Sequence, residues 1–420
     1  MSLDECMRYA VEHSSTVVQQ SYANNNYRQD YIASIAAMVP LISGTVGAST
    51  SFGRSVDPET NTYTNVSNFD NSYSLSVSVP VFSGLSRINT LRATRVMRRQ
   101  GAEELQLARD QVALKTMEAY FDVVYYTESV RLAREQYETS LAEVARTRKL
   151  LELGLKSSAD MAEVESQCAS DDYLVMQQQN NLALAEIALA DAMNFPVDKR
   201  LTVDTDVAVE TPAGVAFGYD EVLANALENN PKAVAAGYNE RYSRLSLSVA
   251  RGYLFPSVYL GGGYSTNYFM NLDNRALYSS FSRQFSDNRG FYVSLQLSIP
   301  IFNGLSGRTN VRKARNNWHI AEQKRSETLR LLQSEVAQAY QQMLGYGKEF
   351  VYATKKTEAA RRAYEAVSGK YERGLVSAIE LQTAADNLLE ARSERLRARL
   401  QYIIKVRLVE YYNGEPLIRR

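Results

Sequence analysis

The chain has 420 residues, and its 47 basic and 47 acidic side chains give a formal charge of zero. This balance gives no electrostatic reason to expect a nucleic acid as partner. A hydrophobic content of 45% excludes a disordered chain. Cys6 and Cys168 form no Cys-x-x-Cys pair, so the sequence predicts no metal site and no cofactor. It also lacks the run of roughly 18 apolar residues that a membrane-spanning helix needs.

The sequence contains an internal duplication. The segment VPVFSGLS at 79–86 recurs 220 positions later as IPIFNGLS at 299–306. Near the start of each copy, Pro40 matches Pro256 with a shift of 216 positions. A register that holds over such distances indicates a duplicated domain rather than a solenoid of short units. The predicted domains are a first repeat at 1–196, a linker at 197–218 and a second repeat at 219–420.

Each repeat begins with a shorter predicted helix, at about 4–36 and 219–252, and continues with two predicted strands. Leu75, Val77 and Val79 alternate with serines, which is typical of a strand with one apolar and one hydroxylic face. Each strand has about the ten residues that a tilted transmembrane strand needs. The four predicted strands cover about 40–52, 72–83, 256–269 and 290–303.

The number of strands matters, because alternation alone also fits a soluble sheet with one wet face. Four strands are too few for a closed barrel, since the smallest membrane barrels have about eight. If these strands lie in a membrane, several chains must share one barrel. Aromatic residues flank the polar segments at about 53–71 and 270–289, and we expect these two loops to face the outside.

Two long helical hairpins follow the strand pairs, at about 86–194 and 306–413. Their first helices contain no proline, and each can reach on the order of 100 Å. Leu389, Leu396 and Ile403 follow the seven-residue spacing that is typical of coiled coils. A soluble coiled-coil scaffold has the same periodicity, but it does not explain strands at matching points of both repeats.

The sequence contains few residues of the types that catalytic sites use. His13 and His319 lie at unrelated positions of the two repeats, so a nucleophilic triad or a histidine-rich metal site is not predicted. Carboxylates on the long helices are interpreted as solvated faces. No glycine-rich phosphate-binding loop occurs, so any energy must come from a partner. We therefore predict no catalytic residues and no enzyme activity.

Each hairpin turns at a Gly-Leu-x-Ser motif. A glycine ends one helix and lets the chain reverse, and a serine three residues later caps the next helix. This structural role is sufficient to explain the glycines and the serines. The two motifs are Gly154-Leu155-Lys156-Ser157 and Gly374-Leu375-Val376-Ser377.

Taken together, these motifs resemble the TolC family of outer-membrane efflux proteins over essentially the whole chain. The resemblance rests on the duplicated strand-to-helix junctions, the two hairpin turns and the repeat ends Asn194-Phe195-Pro196 and Asn413-Gly414-Glu415-Pro416. It implies a mostly α-helical protein with membrane β-structure. Three copies would each give four transmembrane strands to one 12-stranded barrel, continuous with a periplasmic tunnel of 12 helices. The linker would lie in an equatorial belt around the tunnel.

The resemblance also implies a function and a location. Such a protein is a passive exit duct of a tripartite efflux pump or a type I secretion system, in the outer membrane of a Gram-negative bacterium. It contacts outer-membrane lipid, extends into the periplasm, and docks a periplasmic adaptor and an inner-membrane transporter at its helical tips. The predicted docking residues are Gly154, Leu155, Ser157, Gly374, Leu375 and Ser377.

Two other functions compete with the exit duct. A soluble periplasmic coiled-coil adaptor would need no detergent for extraction, and an enzyme on a helical scaffold would need a site that the sequence lacks. No signal peptide precedes the first repeat in this chain. Its absence does not bear on location, because such segments are removed on export.

The resemblance finally implies a gate at the tips, held shut by hydrogen bonds and ion pairs. Tyr371 and Asp160 match two positions of the family pattern, whereas Val376 stands where that pattern has arginine. The hypothesis is that a nearby cation replaces this arginine and pairs with a carboxylate in the closed state. The predicted gate residues are Asp160, Lys156, Tyr371, Arg373 and Glu380.

Overall fold

The computed structural model of the chain describes residues 1–56, 61–196, 201–204, 217–273 and 275–418. Most of the predicted linker at 197–218 lies outside the described residues. No described helix combines the length and apolar character needed to cross a membrane. The chain divides into two compact units, one formed by 1–24, 100–237 and 324–420 and the other by 25–99 and 238–323.

The unit formed by 25–99 and 238–323 contains a four-stranded antiparallel sheet in the order β1-β2-β3-β4. The first strand hairpin is longer than predicted. Part of the polar segment before Asn71, which was expected to be a loop, also pairs as strand. The fourth strand ends earlier than predicted, because its neighbour β3 begins opposite its last residue. The strands are β1 (Leu41–Val56), β2 (Tyr63–Ser83), β3 (Ser257–Asn271) and β4 (Gly290–Ser298).

The duplication extends to the hydrogen-bond register of the sheet. Leu41 of β1 lies opposite Ser78 of β2, and Ser257 of β3 lies opposite Ser298 of β4. Shifts of 216 and 220 positions convert the first pair into the second. The two strand hairpins are therefore paired in the same way, residue for residue, where both are extended.

The two faces of the sheet differ in polarity, as the alternation predicted. Ile42 lies opposite Val77 on the apolar face. On the other face the Ser43 and Ser76 hydroxyl groups are 2.8 Å apart and share a hydrogen bond. At β4 the described residues leave the apolar face uncovered, since Val293 is 84% exposed and Leu295 is 71% exposed. A continuous apolar surface of this kind indicates a partner or a lipid surface.

The helices confirm a mostly helical protein. The short helix expected at the start of each repeat is broken once, after His13 in the first repeat and before Pro231 in the second, where proline takes the first helical position. The helices are α1 (Leu3–His13), α2 (Ser15–Ala36), α3 (Ser86–Glu152), α4 (Ser158–Ala192), α5 (Tyr219–Asn229), α6 (Pro231–Gly252), α7 (Phe281–Asp287), α8 (Ser306–Tyr371) and α9 (Ala378–Tyr412).

Two apolar clusters hold the other unit together. The first joins α1 to the long helices through fully buried Met7, Met117 and Leu189. The second joins α5 to α8 and α9 through Val222 and Val336, which are also fully buried. Each such side chain contributes roughly 2 kcal/mol on burial. These clusters fix the helices whose far ends form the two turns described next.

Candidate functional site at the hairpin turns

Both long hairpins reverse at a glycine in the left-handed region of backbone space. Gly154 has a φ of 77° and Gly374 has a φ of 73°. The Gly154 N–H donates to the Leu151 carbonyl at 2.9 Å, and the Leu155 N–H donates to the Leu150 carbonyl at 2.8 Å. These two bonds form a Schellman motif, which satisfies the last carbonyl groups of α3. Gly374 ends α8 with the same pair of bonds.

A serine caps the helix that follows each turn. The Ser157 hydroxyl accepts from the Asp160 N–H at 3.1 Å, and the Asp160 carboxylate accepts from the Ser157 N–H at 2.9 Å. Hydrogen bonds from Ser157 lower the pKa of Asp160. In the second turn, the Ser377 hydroxyl accepts from the Glu380 N–H at 3.3 Å. The start of each returning helix is therefore fixed by its own side chains.

The turns expose matching apolar side chains. Leu155 is 69% exposed and Leu375 is 68% exposed, at equivalent positions of the two repeats. A Cβ atom added at Gly154 or Gly374 would have no neighbour within 4 Å. Each turn thus has an open surface with a leucine projecting from the matching position, and Leu153, 71% exposed, adds a second leucine at the first turn.

Tyr371 links the two hairpins within one chain. It is only 4% exposed, and its hydroxyl group shares a hydrogen bond with the buried Thr147 hydroxyl at 3.2 Å. The Lys156 Nζ atom lies 5.0 Å from the centre of the Tyr371 ring, and the Arg146 Cζ atom lies 5.9 Å from it. Both cations belong to the first hairpin, so they hold the end of α8 against the end of α3 by cation–π contacts.

The other charged gate candidates lie apart within the chain. Asp160 is engaged by Ser157, while Arg373 and Glu380 are exposed at the second turn. Within the described part of the chain, no ion pair joins Arg373 or Lys156 to Asp160 or Glu380. Ion pairs near the turns join other residues: Arg146 with Glu372 at 3.7 Å, and Arg148 with Glu165 at 3.2 Å.

Behind the turns lies a buried polar network that the sequence analysis missed. Asp171 of α4 is 3% exposed and accepts hydrogen bonds from the Ser140 hydroxyl of α3 and, at 3.0 Å, from the Gln167 amide. Gln167 in turn accepts from the Gln382 amide of α9. The network therefore joins three helices. Burial raises the pKa of Asp171, although these hydrogen bonds oppose the shift.

This shift predicts that the region behind the turns is less stable at neutral pH than at acid pH. A carboxyl group whose pKa is raised by folding stabilises the fold fully below its ordinary pKa, about 3.9. That contribution is lost as the pH rises through the raised value. Hydrogen exchange of α3 and α4 should therefore show protection falling between about pH 4 and neutrality, after correction for the intrinsic rate.

Asp171→Asn should reduce this pH dependence, because the amide keeps the shape and the Ser140 hydroxyl can rotate to accept a hydrogen bond. Burial also raises the pKa of Glu143 and Asp386, which retain their own contribution. Asp172→Asn is the matched control, since Asp172 is the exposed neighbour on the same helix. The same pH dependence in wild type and Asp171→Asn would show that another group titrates.

Comparison with known proteins shows what the chain is similar to. Residues 222–412 match the model of the outer membrane efflux protein family. The chain is 22% identical over 312 residues to the outer membrane protein TolC of Vibrio cholerae serotype O1, covering 73% of this chain and 68% of TolC.

Solved structures share the fold over almost the whole chain. The outer-membrane channel OprN aligns with a TM-score of 0.84 at 18% identity, covering 99% of this chain and 91% of OprN. The outer membrane protein VceC of Vibrio cholerae aligns with a TM-score of 0.82 at 15% identity, covering 99% and 96%. The fold is thus that of outer-membrane channels.

The second half of the chain is thus similar in sequence to outer membrane efflux proteins, and almost the whole chain is similar in fold to outer-membrane channels, as the resemblance to TolC proteins predicted.

Proposed function

We propose that the protein is a passive outer-membrane exit duct, formed by three copies, that serves a tripartite efflux pump or a type I secretion system. The observation that carries this proposal is the sheet: it is open at both edges and exposed on its apolar face. Among the described residues, β1 and β4 each have one strand neighbour. Unpaired edges of this kind are normally covered or closed into a barrel.

An assembly of three copies would close the open edges of the sheet and place its apolar face against lipid. Pairing β4 of one copy with β1 of the next closes a ring of twelve strands with no free edge. The apolar face, with Val46 70% exposed and Val293 84% exposed, then contacts lipid. This arrangement argues against the soluble adaptor, because a soluble protein has nothing to cover that face.

The hydroxyl-bearing face then lines the bore. Ser43 and Thr45 of β1 lie opposite Ser76 and Ser74 of β2 on this face. Hydroxyl groups remain hydrated and carry no charge, so this part of the wall favours neither cations nor anions. A wet, uncharged wall suits a passive duct, in which direction and energy come from the inner-membrane transporter.

The hairpin turns are the proposed docking surface for the periplasmic adaptor. Leu155 and Leu375 project from rigid, capped turns, and the glycines before them leave the surface open. A helical hairpin of the adaptor can cover both leucines, burying apolar surface at each. The docking residues are Gly154, Leu155, Ser157, Gly374, Leu375 and Ser377.

The same turns carry the proposed gate. Tyr371, with Thr147, Lys156 and Arg146 around it, fixes the two hairpins of one chain in one arrangement. In the proposed closed state, Arg373 or Lys156 pairs with Asp160 or Glu380 of a neighbouring chain. Each exposed pair contributes at most about 1 kcal/mol, so the closed state depends on several weak links that docking can release.

The assembly is tested by its size and its need for detergent. The protein should fractionate with outer membranes and migrate in mild detergent as a particle of three chains of 47.2 kDa each. Static light scattering with correction for bound detergent gives the protein mass directly. A monodisperse monomer that stays soluble without detergent would contradict the duct and favour the soluble adaptor.

A further inference from the structure

The end of the second strand hairpin differs from that of the first. In the first repeat, β1 and β2 remain paired as far as Val56 and Tyr63. In the second repeat, pairing of β3 with β4 stops at Ser265 and Gly290, and α7 precedes β4. The 220-residue shift places α7 at positions 61–67 of the first repeat. A short helix, α7, therefore lies where an extension of β4 before Gly290 would have been. This segment was expected to be a loop.

Side chains of this segment supply the hydrogen bonds that a strand would have given to β3. The Gln284 side-chain carbonyl accepts from the Phe269 N–H at 3.0 Å, and its amide donates to the Phe269 carbonyl at 2.9 Å. The Asn288 amide donates to the Asn267 carbonyl at 2.8 Å. Backbone groups of β3 that extend beyond β4 thus have hydrogen-bond partners in α7 and in the residue that follows it.

Aromatic contacts fix α7 on the sheet. The Thr266 hydroxyl donates to the Phe285 carbonyl at 2.8 Å. The Phe285 ring centre lies 5.3 Å from that of Tyr73, and the Phe281 ring centre lies 5.3 Å from that of Tyr268. Edge-to-face pairs of this kind contribute about 0.5–1.5 kcal/mol each beyond burial. α7 is therefore a fixed part of this edge of the sheet.

The duplication also gives the register between copies. Within the chain, Ser76 of β2 lies opposite Gly263 of β3. Applying the shifts of 220 and 216 places Gln296 of β4 opposite Gly47 of the next copy's β1. Even-numbered residues of β4 then oppose odd-numbered residues of β1, so the hydroxyl-bearing faces coincide across the seam. The apolar faces coincide as well, as a barrel wall requires.

We propose that α7 forms the last part of the seam between copies and receives the end of β1 from the next copy; this rests on the proposed trimer. In the register above, Gly290 meets Gly53 of the next copy, so residues 54–56 extend beyond β4 and meet α7. Arg54 and the Asp287 carboxylate at the end of α7 are both exposed, so cysteines at these positions are accessible to a cross-linker. Asp287 pairs with Arg283 within its own chain at 3.6 Å, so the proposed contact depends on the strand register and not on charge.

Cysteine pairs test the two parts of the seam separately. In a Cys6→Ala, Cys168→Ser background, Thr45→Cys with Ser298→Cys reports the strand seam by disulfide formation. Arg54→Cys with Asp287→Cys, treated with a short bismaleimide, reports the α7 contact. Only links between copies raise the mass on a denaturing gel.

Both pairs are expected to give covalent trimers in outer-membrane vesicles. Leu41→Cys with Asp287→Cys, which places one cysteine at the other end of β1, should stay monomeric. Gln284→Leu removes both hydrogen bonds to Phe269 and should reduce the α7 link severalfold while the strand link persists.

The possible failures are distinguishable. A strand link without an α7 link overturns the role of α7 and leaves the trimer intact. Absence of both links overturns the proposed barrel itself. An α7 link of unchanged yield in Gln284→Leu would show that the contact does not depend on the docked position of α7.

Discussion

Replacing Gly154 and Gly374 together with arginine is expected to reduce efflux to the level of a strain that lacks the protein. Each arginine places a long charged side chain beside the exposed Leu155 or Leu375, on the surface proposed for the adaptor. A charge that must be buried against an apolar partner opposes association strongly. Drug susceptibility of the whole cell and adaptor co-purification measure the result.

The matched control is the double alanine variant. Both glycines have positive φ, so any substitution strains the turn by roughly 1–2 kcal/mol. Alanine causes the same strain without the bulk or the charge, and no atom lies within 4 Å of the added Cβ. We expect the alanine variant to keep most of its efflux.

Both tip variants should remain trimeric and membrane-inserted, because the 67 residues of α3 separate the first turn from the strand before it in the chain. Wild-type drug susceptibility in the arginine variant would rule out docking at these turns.

Tyr371→Phe combined with Asp160→Ala is expected to raise single-channel conductance in planar bilayers and to increase antibiotic leak into cells. Phenylalanine removes the hydroxyl group that bonds to buried Thr147, which contributes about 1 kcal/mol in each chain. Alanine removes the Asp160 carboxylate, which in the proposed closed state pairs with a cation of a neighbouring chain.

Three-fold symmetry multiplies these small losses. With about 1 kcal/mol lost per chain at Tyr371, the proposed trimer loses about 3 kcal/mol from the closed arrangement, if the Thr147 bond is made only there. Together with the lost pairs of Asp160, that change shifts the equilibrium towards the open state by roughly a hundredfold or more.

Tyr364→Phe with Asp172→Ala is the matched control for the gate. Tyr364 lies on the same helix and packs against the same apolar cluster, and Asp172 is an exposed carboxylate on α4. If the control and the test variant have the same conductance, closure depends on other residues.

The sequence predicted the elements whose signals are local. Alternating Leu75, Val77 and Val79 predicted a strand and its two faces, and the Gly-Leu-x-Ser motifs predicted the turns. Gly154 and Gly374 need positive φ, and only glycine adopts it without cost. Such features depend on a few neighbouring residues, so the sequence is sufficient for them.

Contacts between distant segments could not be predicted in the same way. Tyr371 matched a family position, but its contacts with Thr147 and Arg146 depend on the rotation of α8 relative to α3. The segment that forms α7 has only seven residues, too few for a clear helical pattern, and its structure depends on Gln284 meeting the backbone of β3. Asp171 resembled a solvated carboxylate, because its burial comes from three helices packing around it.

The two turns of each chain have the same shape but different chemistry. Leu155 and Leu375 are exposed to the same extent, whereas Lys156 in one turn corresponds to Val376 in the other. In the proposed trimer, a partner that reads only the leucines meets six similar positions around the ring. A partner that requires the lysine meets three. The stoichiometry of a bound adaptor, six or three per channel, therefore reports which of these features it recognises.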